Sequence, residues 1–211
     1  MTVFAAVPVK HLLGTKSRLK PILDPAGRAG LTIYMMQRVL TVLREAGLAP
    51  ENVCVVSPDR LVLETVREMG FVPLRQESRG LNPALDEARE WALARGAASL
   101  LVLPADLPLL EAADVRAVLG SEGEVVISPN GDRSGTNAIL LRPPDAVPFL
   151  FGSGSYESHL RAARGRGLTA ETREVPNLAF DLDTAEDVSR LDREQPWRES
   201  SRRESPWEKR A

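Results

Sequence analysis

Ser99-Leu100-Leu101-Val102-Leu103-Pro104-Ala105-Asp106-Leu107-Pro108 runs from an unbroken apolar stretch into an aspartate held between two prolines. An apolar run without polar alternation reads as a short strand covered on both faces. Such strands belong to parallel sheets flanked by helices, and those sheets bind ligands beyond the carboxyl ends of their strands. Asp106 stands at that end. The neighbouring prolines fix φ and stiffen its position. Two readings stay open for it: a site carboxylate, or a turn or helix-capping aspartate.

The segments around this stretch agree with it. Thr2–Val9 is an apolar first strand, and Asp24-Pro25 opens a long helix with Asp as N-cap and Pro at the first helical position. Leu31, Met35, Met36, Val39, Leu40 and Leu43 share one face of that helix, and Gly47 follows its end. Next come a strand at Asn52–Val56, a helix at Arg60–Glu68 stopped by Gly70, and a weak strand at Phe71–Leu74. Pro73 marks the last as an edge. A helix at Pro83–Arg95 leads into Ser99–Leu103. The order predicts an α/β fold with a mostly parallel sheet and helices on both faces.

The second half is less regular. Strands are predicted at Glu124–Ser128, Asn137–Arg142, Leu168–Val175 and Leu178–Leu182, and a short helix at Ser155–Arg164. Thr184 and Asp187 imitate a capping box for a final helix toward Leu191. From Asp192 onward, eleven of twenty residues are charged. Residues 1–191 therefore read as one domain and 192–211 as a mobile tail. The tail holds a small echo, Glu194-Gln195-Pro196-Trp197 and Glu204-Ser205-Pro206-Trp207.

Composition narrows the chemistry. With 27 Lys and Arg against 29 Asp and Glu, the net charge is −2, which gives no reason to expect nucleic-acid or membrane partners. The single cysteine, Cys54, makes no internal disulfide and no Cys-based zinc site, and reads as a small core residue. With His11 and His159 alone, a His-rich metal centre is not expected, and His159 reads as a packed or capping histidine. No secretory signal or membrane-spanning run is read, so the cytoplasm is the expected compartment.

Several segments could carry chemistry. Lys10, Lys16, Arg18 and Lys20 cluster after the first strand, in a loop (Gly14-Thr15-Lys16-Ser17) that lacks the Walker A glycine pattern. They read either as cations for a triphosphate or as a solvated basic loop. Asp181 and Asp183, two apart in a predicted strand, would face one way with Phe180 and Leu182 turned inward. Two such carboxylates suit a hard cation such as Mg²⁺. Gly152-Ser153-Gly154-Ser155 sets backbone amides and a serine at a helix start, which suits an anion. Asn82, after Gly80-Leu81, reads plainly as a helix N-cap.

Taken in order, Gly14–Leu19, Gly80-Leu81-Asn82-x-Ala84, Ala105-Asp106-Leu107-Pro108, Asp132-Arg133-x-Gly135-Thr136-Asn137-Ala138, Phe151-Gly152-x-Gly154-Ser155 and Asp181-Leu182-Asp183-Thr184 resemble the guanylyltransferases of coenzyme F420 biosynthesis. These act on 2-phospho-L-lactate or phosphoenolpyruvate. The resemblance covers residues 1–191 and implies a three-layer α/β/α, nucleotide-diphosphosugar-transferase-like fold. It implies GTP as donor, Mg²⁺ as cofactor, a small phosphorylated three-carbon acid as acceptor and pyrophosphate as leaving group. It implies that Asp106, Asp181 and Asp183 bind metal, and that Lys16, with Arg18, handles phosphate. Thr136, Gly152 and Ser155 would hold the acceptor, and Gly80, Leu81 and Asn82 the nucleotide. A homodimer and a downstream transferase for a labile product are further expectations. Exchanging any of the three aspartates for Asn is expected to spare the fold by relieving repulsion. Phosphoenolpyruvate is the preferred acceptor over 2-phospho-L-lactate and 3-phosphoglycerate. The alternatives are a nucleotidyltransferase for a sugar phosphate or molybdopterin, and a non-catalytic nucleotide-binding regulator.

Overall fold

The computed structural model describes residues 2–194. Its elements are β1 (Val3–Pro8), α1 (Pro25–Glu45), β2 (Val53–Ser57), α2 (Arg60–Glu68), β3 (Val72–Arg75), α3 (Leu81–Leu93), β4 (Ser99–Val102), α4 (Ala112–Leu119), β5 (Val125–Pro129), β6 (Thr136–Leu141), α5 (Ser155–Gly165), β7 (Ala170–Thr172) and α6 (Ala185–Glu194). The strands form one seven-stranded sheet in the order β3-β2-β1-β4-β6-β5-β7. β6 runs antiparallel to both its neighbours, and the other pairs are parallel.

The alternation along each strand explains the layers. Ala5, Val7, Val53, Val55, Leu101, Val126 and Leu140 face one side and pack with α1, α2 and α4. Phe4, Ala6, Cys54, Val56, Leu100, Val102, Ile127 and Ile139 face the other side and meet α3 and α5. Both faces are covered, which is why the interiors of β1, β2, β4, β5 and β6 are apolar and the polar residues fall at strand ends or on the edge strands. Phe4 and Trp91 meet edge to face at 5.3 Å on the second side. Cys54 is fully buried there, and burial pushes its thiol up to about 12. It is a core residue, as its strand position predicts.

The chain moves outward from β1 to β2 and β3, then returns through α3 to place β4 on the other side of β1. The carboxyl ends of β1 and β4 therefore flank the point where strand order reverses, the position where open α/β sheets bind ligands. Asp24 caps α1 through the Gly27 amide, and β3 is an edge strand, both as read from sequence.

Three expectations need correction. Leu178–Leu182 is not a strand. Turns closed by Val175 and Pro176 carbonyls precede Phe180, and the Leu182 amide finds its acceptor on Asp106 O at 3.1 Å instead of on a neighbouring strand. The strand expected at Leu168–Val175 shrinks to β7. Helix α4 is an addition to the elements read from sequence, with Glu111 and Asp114 closing a capping box around its start. Helix α6 continues through Glu194, past the boundary read at Asp192. Residues 195–211, with most of the Pro-Trp echo, lie outside the described residues.

Candidate active site

The loop after β1 is tied down at both ends. The Leu12 amide donates to Asp59 Oδ2 at 3.0 Å, while Asp59 Oδ1 caps α2 through the Leu61 amide. On the far side the buried Arg28 donates to the carbonyls of Leu23 (2.8 Å) and Thr15 (3.3 Å). Between these anchors Lys16 adopts a left-handed backbone (φ 48°, ψ 44°), a conformation that costs a residue with a Cβ about 1–2 kcal/mol. The strained backbone aims the side chain inward.

Lys16 Nζ lies 2.6 Å from Asp106 Oδ2 and 2.9 Å from Asp183 Oδ1, with its side chain only 6% exposed. Burial by itself would favour the neutral amine. The fields of Asp106 and Asp183 outweigh it and raise the Lys16 pKa above its ordinary value. Burial likewise disfavours the Asp183 carboxylate, but Lys16, Arg18 and Lys10 hold its pKa below the usual range. Asp181 shows the opposite balance: burial, then the charges of Asp106 and Asp183, raise its pKa. Arg18 sits at the rim, 74% exposed, with Nη1 3.7 Å from Asp183 Oδ2.

The three predicted aspartates are therefore neighbours, though not through a shared strand. The Leu182–Asp106 backbone bond brings Asp183 to the loop after β4, and Leu182 is buried against Leu19, Leu31 and Met35. Phe180 and Leu182 do turn inward. Among the described residues no three acidic, His or Cys side chains converge closely enough to hold a metal as they stand. A lysine ammonium occupies the space between two of the carboxylates. The donor set consists of hard oxygens, and the Asp181 pKa is raised first by burial and then by the charges of Asp106 and Asp183, both of which a cation would offset.

A cleft of about 680 Å³ opens beside this cluster, lined by Lys10, Gly14 to Arg18, Gly80, Leu81, Asp106 and Asp183, among others. The Gln76–Gly80 loop forms one wall. Gln76 Nε2 donates to the carbonyls of Ser78 (2.7 Å) and Gly80 (3.1 Å), and Glu87 accepts the amides of Glu77 (3.1 Å) and Ser78 (2.7 Å). Gly80 has φ +104°, which favours glycine.

Asn82 departs from both of its sequence readings. It is not the N-cap, which is Gly80, and it does not line the cleft. Its Oδ1 accepts the Phe151 amide at 2.9 Å and its Nδ2 donates to the Phe151 carbonyl at 3.1 Å. It fastens α3 to the loop before α5.

Thr136, Gly152 and Ser155 form a second group outside the cleft lining. Thr136 is buried, and its Oγ1 lies 3.1 Å from His159 Nδ1. Asn137 connects this group to the segment that carries the acidic cluster: its Nδ2 donates to the Leu178 carbonyl at 2.7 Å. The Ser155 amide, expected to be free for a ligand, donates to the Gly152 carbonyl at 3.1 Å. The Ser155 hydroxyl, 1% exposed as a residue, makes no hydrogen bond among the described residues. Gly152 has φ +132° with open space where a Cβ would stand. That backbone conformation favours glycine there.

Residues 3–192 match the family described as guanylyl transferase, CofC like. The chain belongs to that family. This CofC-like protein is 58% identical over 91% of its length to the phosphoenolpyruvate guanylyltransferase of Rubrobacter xylanophilus, covering 94% of it. It is 36% identical to the 2-phospho-L-lactate guanylyltransferase of Methanothermobacter thermautotrophicus, over 90% of this chain and 84% of the relative. A crystal structure from Desulfovibrio desulfuricans G20, provisionally named a nucleotide-diphospho-sugar transferase, superposes with a TM-score of 0.73 at 19% identity, over 92% of this chain and 88% of the other. That likeness carries the fold alone, which is the nucleotide-diphospho-sugar-transferase-like fold. The CofC-like chain is a guanylyltransferase, which sets aside the sugar-phosphate, molybdopterin and non-catalytic readings. Among the described residues no helix is long and apolar enough to cross a membrane.

Proposed function

We propose that the protein transfers GMP from GTP to the phosphate of phosphoenolpyruvate, releasing pyrophosphate and forming enolpyruvoyl-2-diphospho-5'-guanosine for coenzyme F420 biosynthesis. With 2-phospho-L-lactate the product would be lactyl-2-diphospho-5'-guanosine. The name of the relative at 58% identity favours phosphoenolpyruvate. The observation that carries the reading is the buried Lys16 ammonium between Asp106 and Asp183, at the edge of a cleft at the switch point of the sheet.

The chemistry needs no general base. The acceptor phosphate has a second pKa of about 6 and is mostly dianionic at neutral pH. One of its oxygens bonds the α-phosphorus of GTP, the bond from that phosphorus to the bridging oxygen breaks, and pyrophosphate carries the electron pair away. The obstacle is the approach of two polyanions. Lys16, Arg18 and Lys10 offset that repulsion at the triphosphate. Asp106, Asp181 and Asp183 are the residues that would hold Mg²⁺, whose charge would neutralise the phosphates. Gly80 and Leu81 offer backbone groups to the base, and Asn82 supports their helix from behind. Thr136 and Ser155 supply neutral donors to the acceptor, beside a loop that Gly152 shapes.

The test is pyrophosphate release with GTP or ATP against each three-carbon acid, coupled to a downstream transferase if the product is labile. GTP with phosphoenolpyruvate is expected to turn over best. ATP is expected to be poorer by a factor set by unmet polar groups at the base, about 1–3 kcal/mol for each. Equal use of ATP and GTP would contradict the assignment of the Gly80 loop.

Ser155→Ala is expected to weaken the acceptor by about 1.5–3 kcal/mol, the worth of one hydrogen bond to a charged group, and to leave GTP affinity nearly unchanged. Steady-state kinetics with each substrate varied in turn would show it. Weakened GTP with an unaffected acceptor would move this loop to the nucleotide.

A further inference from the structure

His159 is fully buried in α5, behind the groups assigned to the acceptor. Its Nε2 lies 2.9 Å from the Leu150 amide nitrogen. A backbone amide can only donate, so Nε2 must accept and carry no proton. In a neutral ring the proton then resides on Nδ1, which faces Thr136 Oγ1 at 3.1 Å. The ring is neutral: burial lowers its pKa to about 4, with the Ser155 carbonyl opposing weakly. Phe151 covers the ring edge to face at 5.1 Å.

The consequence falls on Thr136. A hydroxyl has one proton and can accept as well as donate. Because a protonated Nδ1 cannot accept from Oγ1, the threonine's own proton is left to point elsewhere. An anionic acceptor, carrying a phosphate and a carboxylate, needs donors of that kind. We infer that His159 is a positioning residue for the acceptor: locked in its Nδ1–H tautomer by the Leu150 amide, it makes the Thr136 hydroxyl an obligatory donor to the bound acid. This rests on the proposed function for the identity of the acid, while the tautomer rests on the geometry alone.

The experiment has two arms. Nitrogen-15 NMR of the full chain at neutral pH is expected to show His159 as a neutral imidazole protonated on Nδ1. A ring protonated on Nε2, or on both nitrogens, would overturn the inference. In the kinetic arm His159→Leu is expected to raise the KM for phosphoenolpyruvate at least about ten-fold and to leave the KM for GTP within about two-fold. His159→Asn places an amide donor near the Nδ1 position and is expected to recover most of that loss. His159→Asn is also the safeguard should His159→Leu fold poorly. A folded His159→Asn protein that loses both substrates alike, or loses kcat with an unchanged acceptor KM, would overturn the positioning role. A wild-type protein inert with every three-carbon acid would overturn the functional reading, and the acceptor role with it, without altering the tautomer.

Discussion

Lys16→Met is expected to lower kcat/KM for GTP by about 10²–10³, the scale on which a preorganised charge stabiliser contributes, about 2.7–4 kcal/mol. The ammonium is held by two carboxylates at 2.6 and 2.9 Å, and its own side chain is only 6% exposed. A charge already desolvated and aimed needs little reorganisation when phosphate charge develops beside it. Methionine keeps the length of the side chain and removes the charge, so the loss reports electrostatics. The same exchange leaves Asp106 and Asp183 facing each other without their shared cation, so the melting temperature is expected to fall as well. Arg18→Met makes the contrast. Its guanidinium is 74% exposed and 3.7 Å from Asp183, an arrangement worth at most about 1 kcal/mol. Its effect is expected in the salt dependence of the GTP KM. Equal losses for the two variants would mean that burial and ion pairing of Lys16 play no part in its chemistry.

The fold was legible because the first half of the chain repeats one device. Apolar runs without alternation at Thr2–Val9, Asn52–Val56 and Ser99–Leu103 leave no polar face, so helices must cover both sides. The Asp24-Pro25 start and the Pro73 edge were local chemistry that tertiary contacts did not override. The stretch from Leu178 to Asp183 misled because its apolar–acidic alternation mimics a strand. The alternation is real, with Phe180 and Leu182 buried, but the backbone partner is the loop at Asp106. Residue spacing cannot report which backbone accepts a hydrogen bond. The same limit hid the Asn82–Phe151 bridge, whose partners are 69 residues apart, and the two-ended bonding of His159. The sequence offers Asn82 as a cap or a nucleotide contact and His159 as a packed or capping residue, and neither reading contains the bonds they make. Asn82 is satisfied by a backbone 69 residues away, and His159 by the Leu150 amide and the Thr136 hydroxyl; nothing local in the sequence distinguishes either from a plain cap or core residue.

The three aspartates are expected to separate when each is exchanged for Asn, which keeps shape and removes charge. All three variants should lose most activity if they share a cation with the triphosphate, because an amide oxygen is a poor substitute for a carboxylate at a hard ion. Stability should divide them. The expectation that relieving repulsion spares the fold holds for Asp181 only, because Asp106 and Asp183 are paired with Lys16. The Asp183 pKa is lowered in the folded protein, so its contribution is present above the unfolded value and is lost as pH falls through the folded one. Asp183→Asn should therefore reduce the melting temperature at neutral pH. The Asp181 pKa is raised, so it favours the folded state below the unfolded value, and that contribution is lost as pH rises through the folded one. At neutral pH its charge is a net cost, and Asp181→Asn should raise the melting temperature in metal-free buffer. The gain should vanish on acidification, when the wild-type carboxyl is itself neutral. It should also vanish on adding Mg²⁺, which stabilises wild type by binding and relieves the repulsion that the variant had removed. Thermal melts of the three variants across pH, with and without Mg²⁺, would measure this. An Asp181→Asn protein less stable than wild type in metal-free neutral buffer would show that burial and the neighbouring carboxylates do not make the Asp181 charge a net cost.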